Sequence, residues 1–288
     1  MASGAKMGDA IRIVRDDGQG RILTFDSATF VPGHYGETSA ARDVVVAASY
    51  AGVLCARMVA RSKPRAAIGL DCAIGKDGAG IAGLWFYEAL DIPAAAADVM
   101  TAEMGNGRDL YEEGVVSRVN ELAEGLGVRP GMTVAEAAAL LLERAGEAAA
   151  DRFADKERRE VVHTSENGRS IVCTDSIAFA REEDRGRNVL CTAGHTGRSV
   201  VGYITDAAPW GFICSDGGIG KNESGITALE PSAQAGIAGA AVDALTARMG
   251  DGHSTYFDGV ISAVNRLAAA KGVKVGMRAT EAARLLLD

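Results

Sequence analysis

The sequence has few cysteines, and their spacing suits neither a disulfide framework nor a zinc site. The five cysteines in 288 residues are an odd number, and no C-x-x-C pair occurs among them. They are Cys55, Cys72, Cys173, Cys191 and Cys214. We therefore expect reduced thiols, and the sequence implies no metal and no cofactor.

An excess of positive charge is also missing. The chain has 30 Lys and Arg residues against 38 Asp and Glu, a formal net charge of −8, and no basic cluster stands out. A nucleic acid or an anionic membrane surface is therefore not the expected partner. Residues 1–9 lack the apolar core of a signal peptide, and no apolar run is long enough to span a bilayer. These features predict a cytoplasmic protein.

Aromatic residues are scarce, at 5%, although 48% of the residues are apolar. Alanine and glycine supply much of the remainder, so we expect cores of small side chains packed closely around sheets. The composition is that of an ordinary globular protein.

An internal repeat is the main feature that the sequence does contain. The stretch 71–80 recurs at 216–225, and the spacing of 145 positions between matched residues holds without a gap to the end of the chain. The residues shared by the two copies are Asp71/Asp216, Ile74/Ile219, Gly75/Gly220, Lys76/Lys221 and Gly80/Gly225. This stretch does not match a Walker A loop, because the glycine spacing differs and Asp77 or Asn222 follows the lysine.

The repeat and the alternation of apolar runs with glycine turns predict an α/β fold. We expect two tandem Rossmann-like, three-layer αβα halves with mainly parallel sheets, related by a pseudo-twofold internal duplication. The first repeat is predicted to cover residues 1–145 and the second residues 166–288. Between them, residues 146–165 are predicted to be a charged linker, with a solvated helix over residues 143–159.

Local sequence patterns predict a hairpin and two kinds of helix. Residues 11–14 and 21–25 are expected to form a hairpin around a turn rich in Asp and Gly. A helix is expected from about Asp77 to Leu90, after the lysine turn. Apolar residues three and four apart predict an amphipathic helix over residues 111–123 and over its copy, 256–268.

The repeated turns supply the first candidate site residues. Each turn lies between a predicted strand and a predicted helix, where backbone N–H groups and the positive end of a helix favour an anion. A lysine beside the turn adds a full charge. If the sheets are parallel, this turn and the preceding strand-end turn open on the same edge. We therefore assign Asp71, Lys76, Asp216 and Lys221 to a candidate catalytic group.

Positions that differ between the copies supply two more candidates. Cys72 is replaced by Gly217, and a thiol at a helix N-terminus near a lysine would have a lowered pKa and act as a nucleophile; the alternative is a small buried apolar residue. Tyr50 is replaced by His195, which makes His195 the best general acid or base among four histidines; a structural histidine is the alternative.

Polar and glycine residues beside these turns are candidate substrate-binding residues. They are Ser27, Ser49, Tyr50, Gly75, Ser176, Thr196, Gly220 and Arg248. Glu103 exchanges with Arg248, and Arg108 with His253, so the equivalent loops carry different charges. One half could have kept a working site while the other became support.

These observations predict an enzyme that acts on a small anionic or amide-containing metabolite, with hydrolysis favoured over a lyase or isomerase reaction. The alternative is a non-catalytic subunit for metabolite binding or assembly, in which the strand ends are flat and fully salt-bridged. Faces rich in Ala and Gly would also suit a homo-oligomer.

Overall fold

The computed structural model describes residues 10–146 and 158–288. These residues form two halves, each built on one six-stranded sheet. In both sheets the strands lie side by side in the order in which they occur along the chain. The predicted α/β fold with two Rossmann-like halves is confirmed.

Residues 10–146 of the first half form six strands and six α-helices. The strands are β1 (Ile11–Asp16), β2 (Arg21–Phe25), β3 (Asp43–Tyr50), β4 (Ala66–Leu70), β5 (Ala94–Ala97) and β6 (Val116–Val119). The helices are α1 (Phe30–Tyr35), α2 (Val53–Ala60), α3 (Gly83–Glu88), α4 (Gly107–Glu113), α5 (Glu121–Gly125) and α6 (Val134–Arg144).

The second half repeats this plan with one helix fewer among the described residues. Its strands are β7 (Arg159–Thr164), β8 (Ser170–Thr174), β9 (Val189–His195), β10 (Gly211–Ser215), β11 (Ala238–Val242) and β12 (Ile261–Val264). Its helices are α7 (Val201–Ala207), α8 (Leu229–Gln234), α9 (Gly252–Phe257), α10 (Arg266–Ala270) and α11 (Ala279–Leu287). The 3₁₀ turns Ile177–Phe179 and Glu182–Asp184 stand where the first half has α1.

The four central strands of each sheet are parallel, and the two edge strands are antiparallel to them. The hairpin predicted at residues 11–25 is therefore confirmed. Successive side chains of β3 point to opposite faces. Val44 and Val46 pack with α4 and α6, whereas Val45 and Ala47 pack with α1, α2 and α3. Helices thus cover both faces of the sheet, and all parallel strands end at one edge.

The amphipathic helix predicted over residues 111–123 is wrong. The chain instead forms the end of α4, the strand β6 and the start of α5. Gly114 ends α4 in an extended conformation, and Asn120 caps α5 by accepting a hydrogen bond from the Ala123 amide. The same change occurs in the second half around β12. Apolar residues three and four apart therefore reflected two short helices that flank a strand.

The helix predicted from Asp77 to Leu90 begins later than expected, at Gly83. Residues Lys76–Gly78 form a 3₁₀ turn instead. A Cβ at Gly80 would lie 2.4 Å from the Asp71 carbonyl oxygen, so the chain at this point is folded tightly back on the strand end. The glycine turn is therefore longer than the sequence indicated.

Most of the predicted linker helix lies outside the described residues, because residues 147–157 are not among them. Within the range assigned to the linker, Arg159–Thr164 forms β7, which pairs with β8 in the second sheet.

Helix lengths bear on whether the chain could cross a membrane. The longest helix of the described ranges, Val134–Arg144, has 11 residues, whereas a transmembrane helix needs about 20 apolar residues. No helix formed by residues 10–146 or 158–288 has the length and apolar character that a membrane span requires.

Candidate functional site

The carboxyl edges of the two sheets face each other, so the repeated turns meet at a seam between the halves. The Lys76 amide donates to the Ala244 carbonyl oxygen at 2.8 Å, and the Lys221 amide donates to the Val99 carbonyl oxygen at 3.0 Å. These two hydrogen bonds are exchanged by the 145-residue repeat, because Val99 corresponds to Ala244. The two halves are therefore related by a pseudo-twofold axis that passes through the seam.

Each turn is shaped by its glycine and held by the aspartate before it. Gly75 has φ +70° and Gly220 has φ +73°, values that suit glycine because it has no Cβ. The Asp71 carboxylate accepts hydrogen bonds from the Val99 amide at 3.1 Å and the Ser117 hydroxyl at 2.7 Å. The turn aspartate thus holds the neighbouring strand end in place.

The equivalent Asp216 is bound in the same way. Its carboxylate accepts from the Gly218 amide at 2.8 Å and the Ala244 amide at 3.0 Å. Burial nevertheless raises the pKa of Asp216 above its usual value. In both halves the predicted catalytic aspartate is buried and occupied by hydrogen bonds that position the turn.

The two repeated lysines contact carboxylates of the opposite half. Lys76 Nζ lies 3.0 Å from Asp258 Oδ2, and Lys221 Nζ lies 3.3 Å from Asp109 Oδ1. Hydrogen bonding from Ser254 and the charge of Lys76 lower the pKa of Asp258. Both ammonium groups are thus paired within the protein, so an external anion would have to displace a carboxylate.

Cys72 does not have the environment of a nucleophile. Its side chain is fully buried and packs in the core cluster that contains Met104 and Met249. Burial, with the charge of Asp71, raises the pKa of the thiol well above its usual value. The predicted lowering of this pKa is therefore wrong, because the thiol faces the packed seam and not a helix N-terminus.

His195 is also buried, with 4% of its surface exposed. Its Nδ1 accepts a hydrogen bond from the Gly197 amide at 3.0 Å, which keeps that nitrogen unprotonated. Burial lowers the pKa of His195 to about 4. At neutral pH the ring is a neutral structural group at the seam.

The small hydroxyl residues predicted to bind substrate are buried and bonded to nearby chain. Ser27 bonds Thr29, Ser49 accepts from the Ala28 amide, Ser176 accepts from the Ala178 amide, and Thr196 donates to the Ser215 carbonyl oxygen. The Tyr50 hydroxyl is buried without a hydrogen-bond partner among the described residues and faces Gly250 across the seam. These residues shape the turns.

Arg248 is the predicted substrate-binding residue that remains partly accessible. Its guanidinium lies 3.1 Å from Asp77 Oδ2 of the first half and 3.5 Å from Asp251 Oδ2, and 43% of the side chain is exposed. At the equivalent position Glu103 accepts a hydrogen bond from Asn222 at 2.8 Å. The charge exchange between the halves is therefore matched by an exchange in the partner residue.

A cleft of about 390 Å³ opens beside Arg248, at the carboxyl end of β8. Its volume is within the range of small-molecule sites. The residues that form it are Arg158, Arg159, Glu160, Cys173, Asp175, Arg248, Asp251 and His253. The strand-end Asp175 and the loop before α9 thus come together with two further arginines.

Charges of alternating sign line this cleft. Arg158 lies 3.2 Å from Asp175 and 3.3 Å from Asp251, and Asp251 also pairs with Arg248. The Arg158 side chain is 60% exposed. Its ion pairs are therefore accessible to solvent, and replacing one of its carboxylate partners by a ligand anion costs little free energy. Cys173 is buried, and burial raises the pKa of its thiol to about 12. An anion in this cleft would meet guanidinium groups but no thiolate.

Arg158 and Asp251 were not predicted from the sequence as members of this cleft. Arg158 falls within the predicted charged linker, whose composition gives no sign of a contact with β8. The exchange of Arg108 for His253 was the available signal, because it marked the loop in which the two halves diverge.

Neither the seam nor the cleft is arranged as a metal centre. Across residues 10–146 and 158–288, no group of three or more His, Cys, Asp and Glu side chains is placed to hold a metal ion. Comparison of the chain with protein-family models, with curated proteins and with solved structures finds no match.

Proposed function

We propose that the chain binds a small anionic or amide-containing metabolite in the cleft of the second half and hydrolyses it. The observation that carries this proposal is that three residues around the cleft differ in charge from their counterparts in the first half. Arg248 replaces Glu103, Asp251 replaces Asn106 and His253 replaces Arg108, whereas the seam residues Asp71, Gly75 and Lys76 are the same in both copies.

Charge supports an anionic ligand. Arg158 and Arg248 share the carboxylate of Asp251, and a carboxylate or phosphate group can replace that carboxylate while keeping charge-assisted hydrogen bonds. His253 lines the same cleft and is exposed, and histidine is the side chain that most often serves as a general acid or base. Arginine near a reacting carbonyl group would stabilise developing negative charge.

Binding can be tested by thermal shift and calorimetry with dicarboxylates, primary amides and phosphate monoesters. We expect one class to stabilise the protein and Arg248→Ala to weaken its affinity about tenfold or more, as expected for a lost charge-assisted contact. Arg108→Ala and Glu103→Ala are matched controls, because they change the equivalent positions of the first half. Binding that Arg248→Ala and His253→Ala both leave unchanged would rule out this cleft.

A non-catalytic binding role is the second candidate. It is favoured by the thiols, whose pKa values are all raised by burial, and by the buried, neutral His195. Incubation of the protein with the bound compound, followed by NMR for hydrolysis products, separates the two roles. Product formation that is lost in His253→Ala supports catalysis, and an unchanged compound supports binding alone.

A further inference from the structure

A second and larger cleft lies on the other side of the second half. It has a volume of about 570 Å³ and lies between the turns at Ile177–Phe179 and Glu182–Asp184 and helix α7. Its apolar surface comes from Ile177, Ala178, Ala180 and Ala207, and its polar surface from Arg181, Glu182, Arg185, Tyr203, Thr205 and Asp206. These residues do not line the cleft around Arg248, so the two clefts are distinct.

The cleft lies beside a connection that is shorter in the second half. Between Asp26 and Asp43 the first half has residues 27–42, whereas between the matched Asp175 and Asn188 the second half has only residues 176–187, four fewer. The longer connection forms helix α1, which packs against α2. In the second half two 3₁₀ turns replace α1, and the space beside α7 stays open.

Aromatic side chains fill the corresponding region of the first half. Tyr35 of α1 is buried, with 5% of its surface exposed, and its hydroxyl donates to Asp43 Oδ2 at 2.9 Å. Its ring packs beside Phe25, with ring centroids 6.4 Å apart. At the position of Phe25 the second half has Thr174, whose buried hydroxyl has no partner among the described residues. The second half therefore lacks both rings.

The polar side chains of the open cleft indicate the charge of its ligand. Arg185 already pairs with Glu182 at 3.1 Å, and Tyr203 donates to Thr29 of the first half at 2.8 Å. The Arg181 guanidinium pairs with no carboxylate among the described residues, although it lines the cleft. Glu182 and Asp206 are the acidic residues that line the cleft, and Glu182 is paired with Arg185.

We propose that this cleft binds a small aromatic carboxylate, whose ring occupies the space beside α7 that α1 fills beside α2 in the first half and whose carboxylate pairs with Arg181. The alanine and isoleucine surface contacts the ring, and the phenol of Tyr203 forms one wall. Since Tyr203 also stacks on Phe30, with centroids 6.3 Å apart, a bound ring would extend an aromatic contact between the halves.

The test is calorimetry and ligand-observed NMR on the full chain with 4-hydroxybenzoate. Acetate, which has no ring, and benzyl alcohol, which has no carboxylate, are the matched probes. We expect 4-hydroxybenzoate to bind with a dissociation constant between about 10 µM and 1 mM. Both matched probes should bind at least about tenfold more weakly.

Two variants and one control decide the assignment. Arg181→Ala should weaken 4-hydroxybenzoate about tenfold, and Ala178→Trp should abolish its binding by filling the cleft. Arg187→Ala, whose guanidinium bonds the Gly168 carbonyl oxygen outside the cleft, should leave binding unchanged. Absence of 4-hydroxybenzoate binding at about 10 mM, or binding that Arg181→Ala does not weaken, would overturn the proposal.

Discussion

The loops that follow β5 and β11 have the same backbone role but different side chains. Residues 101–107 and 246–252 both end at a glycine amide bonded to a strand-end aspartate, Asp26 in the first half and Asp175 in the second. Yet the first loop carries Glu103 where the second carries Arg248. The duplication has thus preserved the contact that holds each loop to a strand end of its own half and changed the side chains that the loop carries.

The changes are compensated across the seam. Arg248 faces Asp77, and Glu103 faces Asn222. If the first half were paired with a copy of itself, Glu103 would face Asp77, and two carboxylates would repel. The side chains at the seam therefore favour pairing of unlike halves, while the backbone retains the symmetry of a like pair.

The turns that both halves share are tested most strongly by substituting their glycines. Gly220→Val and Gly75→Val each place a β-branched residue at positive φ, and a Cβ at Gly220 would lie 3.1 Å from Val99 Cγ2. We expect each to lower the free energy of unfolding by about 3 to 4 kcal/mol in urea titrations.

Gly33→Ala is the control, because a Cβ there meets nothing within 4 Å. Because Gly33 lies within α1, the change should be neutral or stabilising by up to about 1 kcal/mol. A loss below about 1 kcal/mol at either turn glycine would show that the seam does not depend on the turn.

His195 and Tyr50 occupy equivalent positions but differ between the halves, and the pH dependence of stability tests this difference. The pKa of His195 falls from 6.5 to about 4 on folding, so the unfolded state binds the proton first as the pH falls. The contribution of the neutral His195 ring to the free energy of unfolding is therefore fully present above about pH 6.5. It is lost as the pH falls toward 4, by at most about 3 kcal/mol.

Urea titrations from pH 8 to pH 4 measure this effect as a difference between the wild type and His195→Gln. The wild type should lose more stability on acidification than the variant does. Tyr50→Phe should keep the wild-type slope, because Tyr50 does not titrate in this range. Equal slopes for wild type and His195→Gln would contradict the buried, neutral histidine.

Asn120 and Asn265 are predicted to contribute equally. The side-chain amide of Asn120 donates to the carbonyl oxygens of Leu84 and Ile92 and accepts from the backbone N–H groups of Ala94 and Ala123. Asn265 makes the four equivalent hydrogen bonds. Replacement of either by Ala should cost about 2 to 3 kcal/mol in thermal or urea unfolding, because buried backbone groups lose their partners. A difference above about 1 kcal/mol between the two variants would show that the halves are not equivalent in their cores.

The exchanged charges should have the smallest effect. Arg248→Asp faces Asp77 with a second carboxylate and should cost at most about 1 kcal/mol, because both side chains are partly exposed. Adding Asp77→Arg should recover most of that loss. A double variant no more stable than Arg248→Asp alone would show that the pair is not coupled.

The fold followed from the sequence because duplication displays each apolar run twice. The strands around Val44–Val46 and the hairpin at residues 11–25 were predictable from local pattern. The short strand Val116–Val119 was not predictable. Its apolar residues and those of the flanking α4 and α5 fall three and four positions apart, which is the spacing of an amphipathic helix. Only the pairing with Ala95–Ala97 fixes it as a strand.

The site was less predictable for a different reason. Repetition singled out Asp71, Gly75 and Lys76 as candidate site residues, but a repeated residue can instead serve the contact between the repeats. Which of the two roles applies depends on the partners across the seam, such as Asp258 for Lys76. Those partners are distant in sequence, and the carboxylates that pair with the two lysines, Asp258 and Asp109, are not at equivalent positions of the repeat.

The repeated lysines join the halves, and we propose that the ligand binds in the cleft around Arg248. The most direct measurement is calorimetry with the stabilising anion on two double variants, Lys76→Met with Lys221→Met, and Arg158→Ala with Arg248→Ala. The lysine variant should keep the wild-type affinity with a lower melting temperature, and the arginine variant should lose about tenfold or more. Affinity lost with the lysines and kept without the arginines would contradict the claim.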